Sequence, residues 1–355
     1  MDNEADHLVK EKMLHDFCTR VFEKIGVPAE DARLAVDNLI EADLRGVYSH
    51  GVVRFPIYVK RILDGGTNPH AKISIQRQTR TTAVVDGDNG LGHFVGIKAM
   101  ELAIEKASDG DCAFVAVNNS NHFGAASFYA EMAARKKMIG FSFTIGAINH
   151  MAPWGGAEAV LGNNPFAIAF PTRENFQIVL DMACSVAARG KIIVAAKEGR
   201  PIPADWATGP DGLPTTDAVE ALKGFVIPVG GPKGYALTLA VGLLSTMLSG
   251  AAFGNDVGEL YEKTSTAQNS GHLFGVLPIA SFDDVDAYLD RIQKGISDIR
   301  NAKKATAVDR IYLPGEREYI NLTKHRAGGI PIGKTLVQEL SGIARQYDVP
   351  FEIMT

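Results

Sequence analysis

The sequence predicts an α/β protein in which helices from both chain ends pack against a central domain built on a mixed sheet. Three observations predict it. Between Thr81 and Thr144, short β-branched runs alternate with segments of helical period. The first sixty residues carry apolar positions at helical spacing, and so do two long segments near the C-terminus. At 355 residues and 46% hydrophobic composition, the chain is long enough for roughly two domains with a sizeable core. The expected division is 1–76 with 283–355 as a helical domain and 77–282 as the mixed α/β domain.

In chain order, Pro28 opens a helix whose apolar positions Ala32, Ala35, Val36, Leu39 and Ile40 share one face, and Gly46 ends it. Ser49 is placed to cap the next helix, and Pro56 is tolerable in its first turn. On that helix His50, Arg54, Tyr58 and Arg61 follow at intervals of 4, 4 and 3, so they form one polar stripe. Asp64–Pro69 is a turn cluster and the expected boundary. Strands follow at Thr81–Val85, Ala113–Val117 and Ile139–Thr144, with helices at Gly96–Ala107 and Ala125–Lys136 between them. Ala167–Phe170 and Gln177–Leu180 are two more strands, and Pro201–Thr216 is a long loop rich in Pro, Gly and Asp. A helix at Tyr235–Ser249, a strand at Gly271–Pro278 and helices at Asp283–Asn301 and Gly333–Gln346 complete the chain.

Composition narrows the function. A net charge of −5 and a sequence pI near 6.0 argue against nucleic acid or an anionic membrane as main partner. Cys18, Cys112 and Cys184 are sparse and odd in number, which suits a reducing, cytoplasmic setting. The acidic start Met1–Asp6 has no apolar core and does not read as a signal peptide. Tyr235–Phe253 runs uncharged but holds Thr238, Gly242, Ser245, Thr246, Ser249 and Gly250, so a buried or subunit-interface helix is expected there, not a membrane span.

Chemistry concentrates in a few segments. Ser49-His50-Gly51 and Asn119-Ser120-Asn121-His122-Phe123-Gly124 each set a histidine in a polar, glycine-bearing stretch. Imidazole, with an unperturbed pKa of about 6.5, can give and take a proton near neutrality. His122 also falls between a strand and a helix, where α/β proteins gather ligand contacts. For either histidine alone, a backbone-bonded structural role is the default. Gly230-Gly231-Pro232-Lys233-Gly234-Tyr235 offers free amides and one cation at a helix start, suited to a phosphate-bearing ligand, although a plain loop lysine is the alternative. Asp181, at a strand end, would orient an imidazole, bind ribose hydroxyls or cap the following segment. Gly90-Leu91-Gly92-His93-Phe94-Val95-Gly96 has the wrong spacing for a Rossmann fingerprint and reads as a tight turn with close helix packing. No His-x-x-x-His pair or Gly-x-Ser-x-Gly elbow occurs, so neither a metal site nor a serine hydrolase is expected.

Taken together, these segments resemble the malate/L-lactate dehydrogenase family, which includes ureidoglycolate and sulfolactate dehydrogenases and diketogulonate reductase. The resemblance runs from about Met13 to Leu340. It rests on Arg45-Gly46-Val47-Tyr48-Ser49-His50-Gly51 with Arg54, Asn121-His122-Phe123-Gly124, Met151-Ala152-Pro153-Trp154-Gly155-Gly156 and Gly162-Asn163-Asn164-Pro165. Leu180-Asp181-Met182-Ala183, Gly190-Lys191, Gly231-Pro232-Lys233-Gly234-Tyr235 and Pro314-Gly315-Glu316 continue it. The resemblance implies a non-Rossmann, sulfolactate dehydrogenase-like fold. In it the mixed-sheet domain binds NAD or NADP, a helical domain from both termini covers it, and two copies form a homodimer. It also implies His122 as proton donor and acceptor, with His50 sometimes given that part. Arg54, with Tyr58 and Ser49 near it, would hold the substrate carboxylate, and Asp181, Met182, Ala183, Lys233, Gly315, Glu316 and Arg317 would contact the dinucleotide. Thr144–His150 is one residue longer than in such relatives and lacks their Asn-Ser type, which leaves the choice between NAD and NADP open.

The sequence therefore predicts hydride transfer between NAD(P) and a small 2-hydroxy acid/2-oxo acid pair, malate or lactate first. Ureidoglycolate, sulfolactate, diketogulonate and cyclic imines are rivals within the family. A histidine-dependent lyase that binds no dinucleotide is the rival of a different class.

Overall fold

The computed structural model describes residues 7–354; the acidic start at 1–6 lies outside them. Its centre is a seven-stranded sheet. In spatial order the strands are Ser74–Gln78, Thr82–Asp86, Ala113–Ser120, Ser270–Pro278, Met138–Thr144, Phe166–Phe170 and Ile178–Met182. Only Thr82–Asp86 and Ala113–Ser120 pair in parallel, joined by the helix Gly92–Ala107 in a βαβ unit; every other neighbouring pair is antiparallel. The sheet is mixed, and its order is not that of a doubly wound fold.

The pairing has a consequence for function. Ser270–Pro278 lies antiparallel between Ala113–Ser120 and Met138–Thr144, so those two strands run the same way. Phe166–Phe170 likewise separates Met138–Thr144 from Ile178–Met182. Strands ending at Asp86, Ser120, Thr144 and Met182 therefore finish at one edge of the sheet. Loops from carboxyl ends of co-directed strands converge there, as in other α/β proteins that bind ligands at such an edge.

Ser270–Pro278 is buried along almost its whole length, as a central strand must be. On one face, Gly96 of helix Gly92–Ala107 lies so close to Tyr129 that a Cβ would stand 2.7 Å from its ring. At Gly92 a Cβ would meet the Asn121 carbonyl at 2.0 Å. The glycines expected to serve close packing do so, and the helix begins four residues earlier than its apolar pattern indicates. On the other face lies the helix Pro232–Thr246, where a Cβ at Gly271 would strike the Ser245 carbonyl at 2.3 Å.

The chain ends meet. Helices Glu11–Lys24, Ala29–Leu44 and Lys334–Tyr347 share the main core with the βαβ unit, and Phe17 packs tilted against Phe351 with ring centroids 4.9 Å apart. Two short strands, His7–Val9 and Ile330–Ile332, tie the termini, although the first sixty residues read as helices alone. Each has three residues, too few to show a period of 2. Ser49 does not cap the next helix. Tyr48–His50 and Val52–Arg54 form two 3-10 turns, and the helix starts at Phe55 with Arg54 at its N-cap. Buried Asp43 sets that geometry by accepting from the Val52 N–H at 2.8 Å. A smaller core of Met151, Leu161, Ile192, Ala195, Ile202, Ala207, Ala218, Ala221 and Val226 forms a side lobe whose helices, Arg189–Lys197 and Ala218–Lys223, the sequence reading lacks.

Candidate active site

A cleft of about 630 Å³ opens at the sheet edge where the co-directed strands end. Ser49 and His50 of the terminal helical layer line it, with His122–Ser127 after one strand and Thr144–Ala147 after the next. Val179–Ala183 of the edge strand and Tyr312–Gly315, Arg317 and Glu318 of the C-terminal segment complete the wall.

His122 sits where Ala113–Ser120 leaves the sheet; its N–H donates to Gln268 Oε1 at 2.9 Å. Its Nδ1 lies 2.7 Å from the Tyr58 hydroxyl. His50 stacks on it with ring centroids 5.8 Å apart and an interplanar angle of 17°, and the Ser49 hydroxyl is 2.9 Å from His50 Nδ1. Arg54 donates from Nε to the Ser49 carbonyl at 2.7 Å and from Nη1 to the Tyr261 hydroxyl, and its guanidinium lies over the Tyr261 ring. Four residues 72 positions apart at the extremes thus form one cluster: His50, Arg54, Tyr58 and His122. Arg61, the last member of the stripe, is 1% exposed and turns away from the cleft into a nest of carbonyls.

Burial and charge tune the histidines. Enclosure, and secondarily the Arg54 cation, lowers His50 to about 4. The same desolvation, with His50 and Arg54 adding to it, holds His122 well below the usual histidine range. Both rings are therefore neutral at pH 7 in the open cleft, the form a general base needs. Burial pushes the Tyr58 phenol upward, so it stays protonated. Beneath the site His272 bridges two strands, 2.7 Å from Thr144 Oγ1 and 2.8 Å from Ser120 Oγ, and stacks on Phe123 at 4.6 Å. Burial lowers it to about 3, so it serves as a neutral strut.

Asp181, Met182 and Ala183 line the cleft at the sheet's edge strand. The Asp181 surface is open to the cavity, yet the surrounding walls raise its pKa by desolvation, while the Ser127 N–H donates to Oδ2 at 3.1 Å. The Ser127 side chain hydrogen-bonds the same carboxylate, which still faces the cavity where a ribose hydroxyl would lie. Gly315 and Arg317 also line the cleft, with Arg317 stacked on Tyr312. Cavity size, an apolar wall and one cavity-facing carboxylate fit a nicotinamide dinucleotide.

Two of the expected cofactor contacts stand elsewhere. The Glu316 side chain is buried, accepting from the Leu313 N–H at 3.0 Å and pairing with Arg300 and Arg310. It fastens the Pro314–Gly315 turn from behind and does not face the cleft. Lys233 is exposed in the first turn of Pro232–Thr246 and does not line the cleft. Sequence reasoning missed Tyr261, whereas Thr144–Ala147, in the segment tied to the choice between NAD and NADP, and Asn163, in a motif of the resemblance, do line the cleft. Tyr261 lies 207 residues from Arg54 in the chain, beyond any local motif. Among the described residues, no group of three or more His, Cys, Asp or Glu gathers as a metal site.

Comparison with known proteins agrees with this geometry. The sequence profile of the malate/L-lactate dehydrogenase family matches residues 9–341. A malate dehydrogenase from Pyrococcus horikoshii is 41% identical over 349 residues, 96% of each chain. The solved sulfolactate dehydrogenase of Methanocaldococcus jannaschii superposes with a TM-score of 0.91 at 39% identity, covering 97% of this chain and 98% of that one. A (2R)-3-sulfolactate dehydrogenase (NADP+) from Chromohalobacter salexigens is 33% identical over 322 residues, 91% of this chain and 93% of its own.

Proposed function

This chain belongs to the malate/L-lactate dehydrogenase family, a family of hydroxy acid oxidoreductases that use NAD or NADP, and from that premise we propose that it interconverts malate and oxaloacetate with NAD. The observation that carries the reading is the cluster His122–Tyr58–His50–Arg54, whose two histidines line a cleft of dinucleotide size.

Arg54 receives the substrate carboxylate. It is a part-buried guanidinium with no carboxylate partner among the described residues, and a bidentate anion would restore what burial costs it. NAD held along the cleft wall would supply the hydride acceptor, or in reverse the donor, for the substrate carbinol carbon. His122 takes the hydroxyl proton at Nε2, which requires Nδ1–H to donate to the Tyr58 oxygen in the neutral ring. Tyr58 thereby fixes the ring and its tautomer. In reduction His122 returns the proton to the forming hydroxyl. His50, held by Ser49, packs against it and excludes water. Asp181, Met182, Ala183, Gly315 and Arg317 form the dinucleotide wall, and the Asp181 carboxylate supports NAD over NADP because it would repel a ribose phosphate.

The remaining expectations take their places in this reading. The chain acts in the cytoplasm on a small carboxylate, and no helix among the described residues is long and apolar enough to cross a membrane. It works as a homodimer with the domain division given above; the apolar side chains Leu243, Leu244, Met247 and Leu248, each 40–59% exposed on and after helix Pro232–Thr246, support that.

The test is oxidation of NADH and NADPH, in parallel, with oxaloacetate, pyruvate, sulfopyruvate and a cyclic imine, and reduction of NAD+ and NADP+ with ureidoglycolate. Preferred turnover of oxaloacetate with NADH is expected. Turnover confined to another pair reassigns the substrate, and absence of both turnover and thermal shift by either nucleotide overturns the dehydrogenase reading in favour of a lyase.

A further inference from the structure

The loop 257–266 crosses the site with no regular secondary structure, yet it is fastened at both ends. Arg61, four-fifths of the way along the helix that also carries Tyr58, inserts its guanidinium among the loop carbonyls. Nη1 donates to the Glu259 carbonyl at 3.0 Å, and Nη2 donates to the Thr266 carbonyl at 2.6 Å and to the Gly66 carbonyl at 3.0 Å. Thr264 hydrogen-bonds Asp64 through its hydroxyl, and Gln268 joins the Gly258 carbonyl at 3.4 Å to the His122 amide at 2.9 Å. Gly66 is glycine because a Cβ would stand 2.1 Å from the Thr264 carbonyl. A buried arginine spent on carbonyls, with Nε left without a partner and only the Asp64 carboxylate acting on its charge, is an expensive fastening for an ordinary surface loop.

What the fastening delivers is Tyr261. Its hydroxyl accepts from Arg54 Nη1, and its ring lies 5.4 Å from Arg54 Cζ. Arg54 Nε is already given to the Ser49 carbonyl, so Nη1 and Nη2 remain for a carboxylate, with the Tyr261 hydroxyl at their side. A carboxylate entering that fork meets a phenolic O–H able to donate to it. We propose that Tyr261 is a specificity residue that donates to the substrate carboxylate and holds the Arg54 fork for it, with Arg61 as the positioning residue that keeps the loop in place. One helix face then organises the site: Arg54 takes the acid with Tyr261, Tyr58 sets His122, and Arg61 secures the loop.

The inference rests on Arg54 as the carboxylate site, and two variants separate the two claims. In Tyr261→Phe the ring and its stacking survive and only the hydroxyl goes. The KM for oxaloacetate and the dissociation constant of oxamate from the NADH complex should each rise about tenfold, with kcat within about twofold and NADH affinity unchanged. Arg61→Met should raise the same two constants and, by releasing the loop, speed tryptic cleavage after the surface residue Lys263, while Arg61→Lys restores part of the loss. Unchanged KM and oxamate affinity in Tyr261→Phe overturn the proposal. If Arg54→Gln also leaves both constants unchanged, the carboxylate assignment itself falls; if Arg54→Gln alone raises them, only the role of Tyr261 falls.

Discussion

His122 and Tyr58 form the contact on which the chemistry turns. Replacing Tyr58 by Phe removes the Nδ1 partner, so the neutral ring can no longer be held in the tautomer with a free Nε2. A fall in kcat of about tenfold or more is expected, with little change in KM, from steady-state kinetics in both directions. The pH dependence has a sign. Because burial holds His122 below the usual histidine range, the free enzyme carries the base form above about pH 6.5. Oxidation, read as kcat/KM, should therefore stay level from neutral pH into mild acid. Reduction needs the protonated ring and should lose about tenfold per pH unit above neutrality; a flat reduction profile would remove His122 as donor. At this scale the sequence was legible where residues sit in short polar motifs: Ser49-His50 and Asn121-His122 meet as the reading expects. It was illegible for Glu316, whose type and neighbours suit a ligand contact but whose oxygens are taken by Arg300, Arg310 and the Leu313 amide. Only the fold reveals which partners a carboxylate has already met.

Among the elements, the edge strand Ile178–Met182 and the turn Pro314–Gly315 together build the cleft wall proposed for the dinucleotide, the Val179 N–H donating to the Pro314 carbonyl at 3.1 Å. Glu316 anchors that turn. Glu316→Ala should destabilise the protein by about 1–3 kcal/mol, by leaving the buried Leu313 amide without its acceptor and Arg310 without its pair, while Arg300 keeps Glu174. Thermal melts without cofactor check it; unaltered melting combined with weaker NADH binding would return Glu316 to the cofactor site. Helix Pro232–Thr246 makes a second prediction. Leu244→Glu with Leu248→Glu puts charge on its exposed apolar side, and light scattering should then report monomer where the parent chain reports dimer. Element boundaries were read well where period and turns agreed, as along Met138–Thr144 and Ser270–Pro278, while the strand expected at Ala113–Val117 runs on through its polar residues to Ser120. The strands of three residues at the termini and the short helices of the side lobe carry too few positions to display a period, and they emerge only from pairing and packing.

For the molecule as a whole, burial of imidazoles ties stability to pH. Desolvation lowers His150 to about 4 and His93 and His272 to about 3, and His50 and His122 are lowered as well. An unfolded chain binds these protons near pH 6.5 and the folded one does not, so stability is complete above that pH and is lost as pH falls towards 4. His93, His150 and His272 carry most of the effect, since His50 and His122 open onto the cleft. Asp43, raised to about 7 by burial, opposes it, its folded form gaining as pH falls through that value. Glu131, Asp181 and Asp31, also raised by burial, act in the same sense as Asp43, but the five imidazoles outweigh these carboxyls, and melting temperature should drop between pH 6.5 and 4.5 with net proton uptake on unfolding. A level curve there would contradict the assigned burial.

The central claim is that His122 moves the substrate proton in a hydroxy acid dehydrogenase. It is tested most directly by NADH oxidation with oxaloacetate in the parent enzyme and in His122→Ala, with NADH binding followed by thermal shift in both. The account predicts turnover in the parent, a loss of about 10²–10⁴-fold in the variant, and equal NADH stabilisation of the two. Undiminished turnover in His122→Ala would contradict it and move the proton to His50.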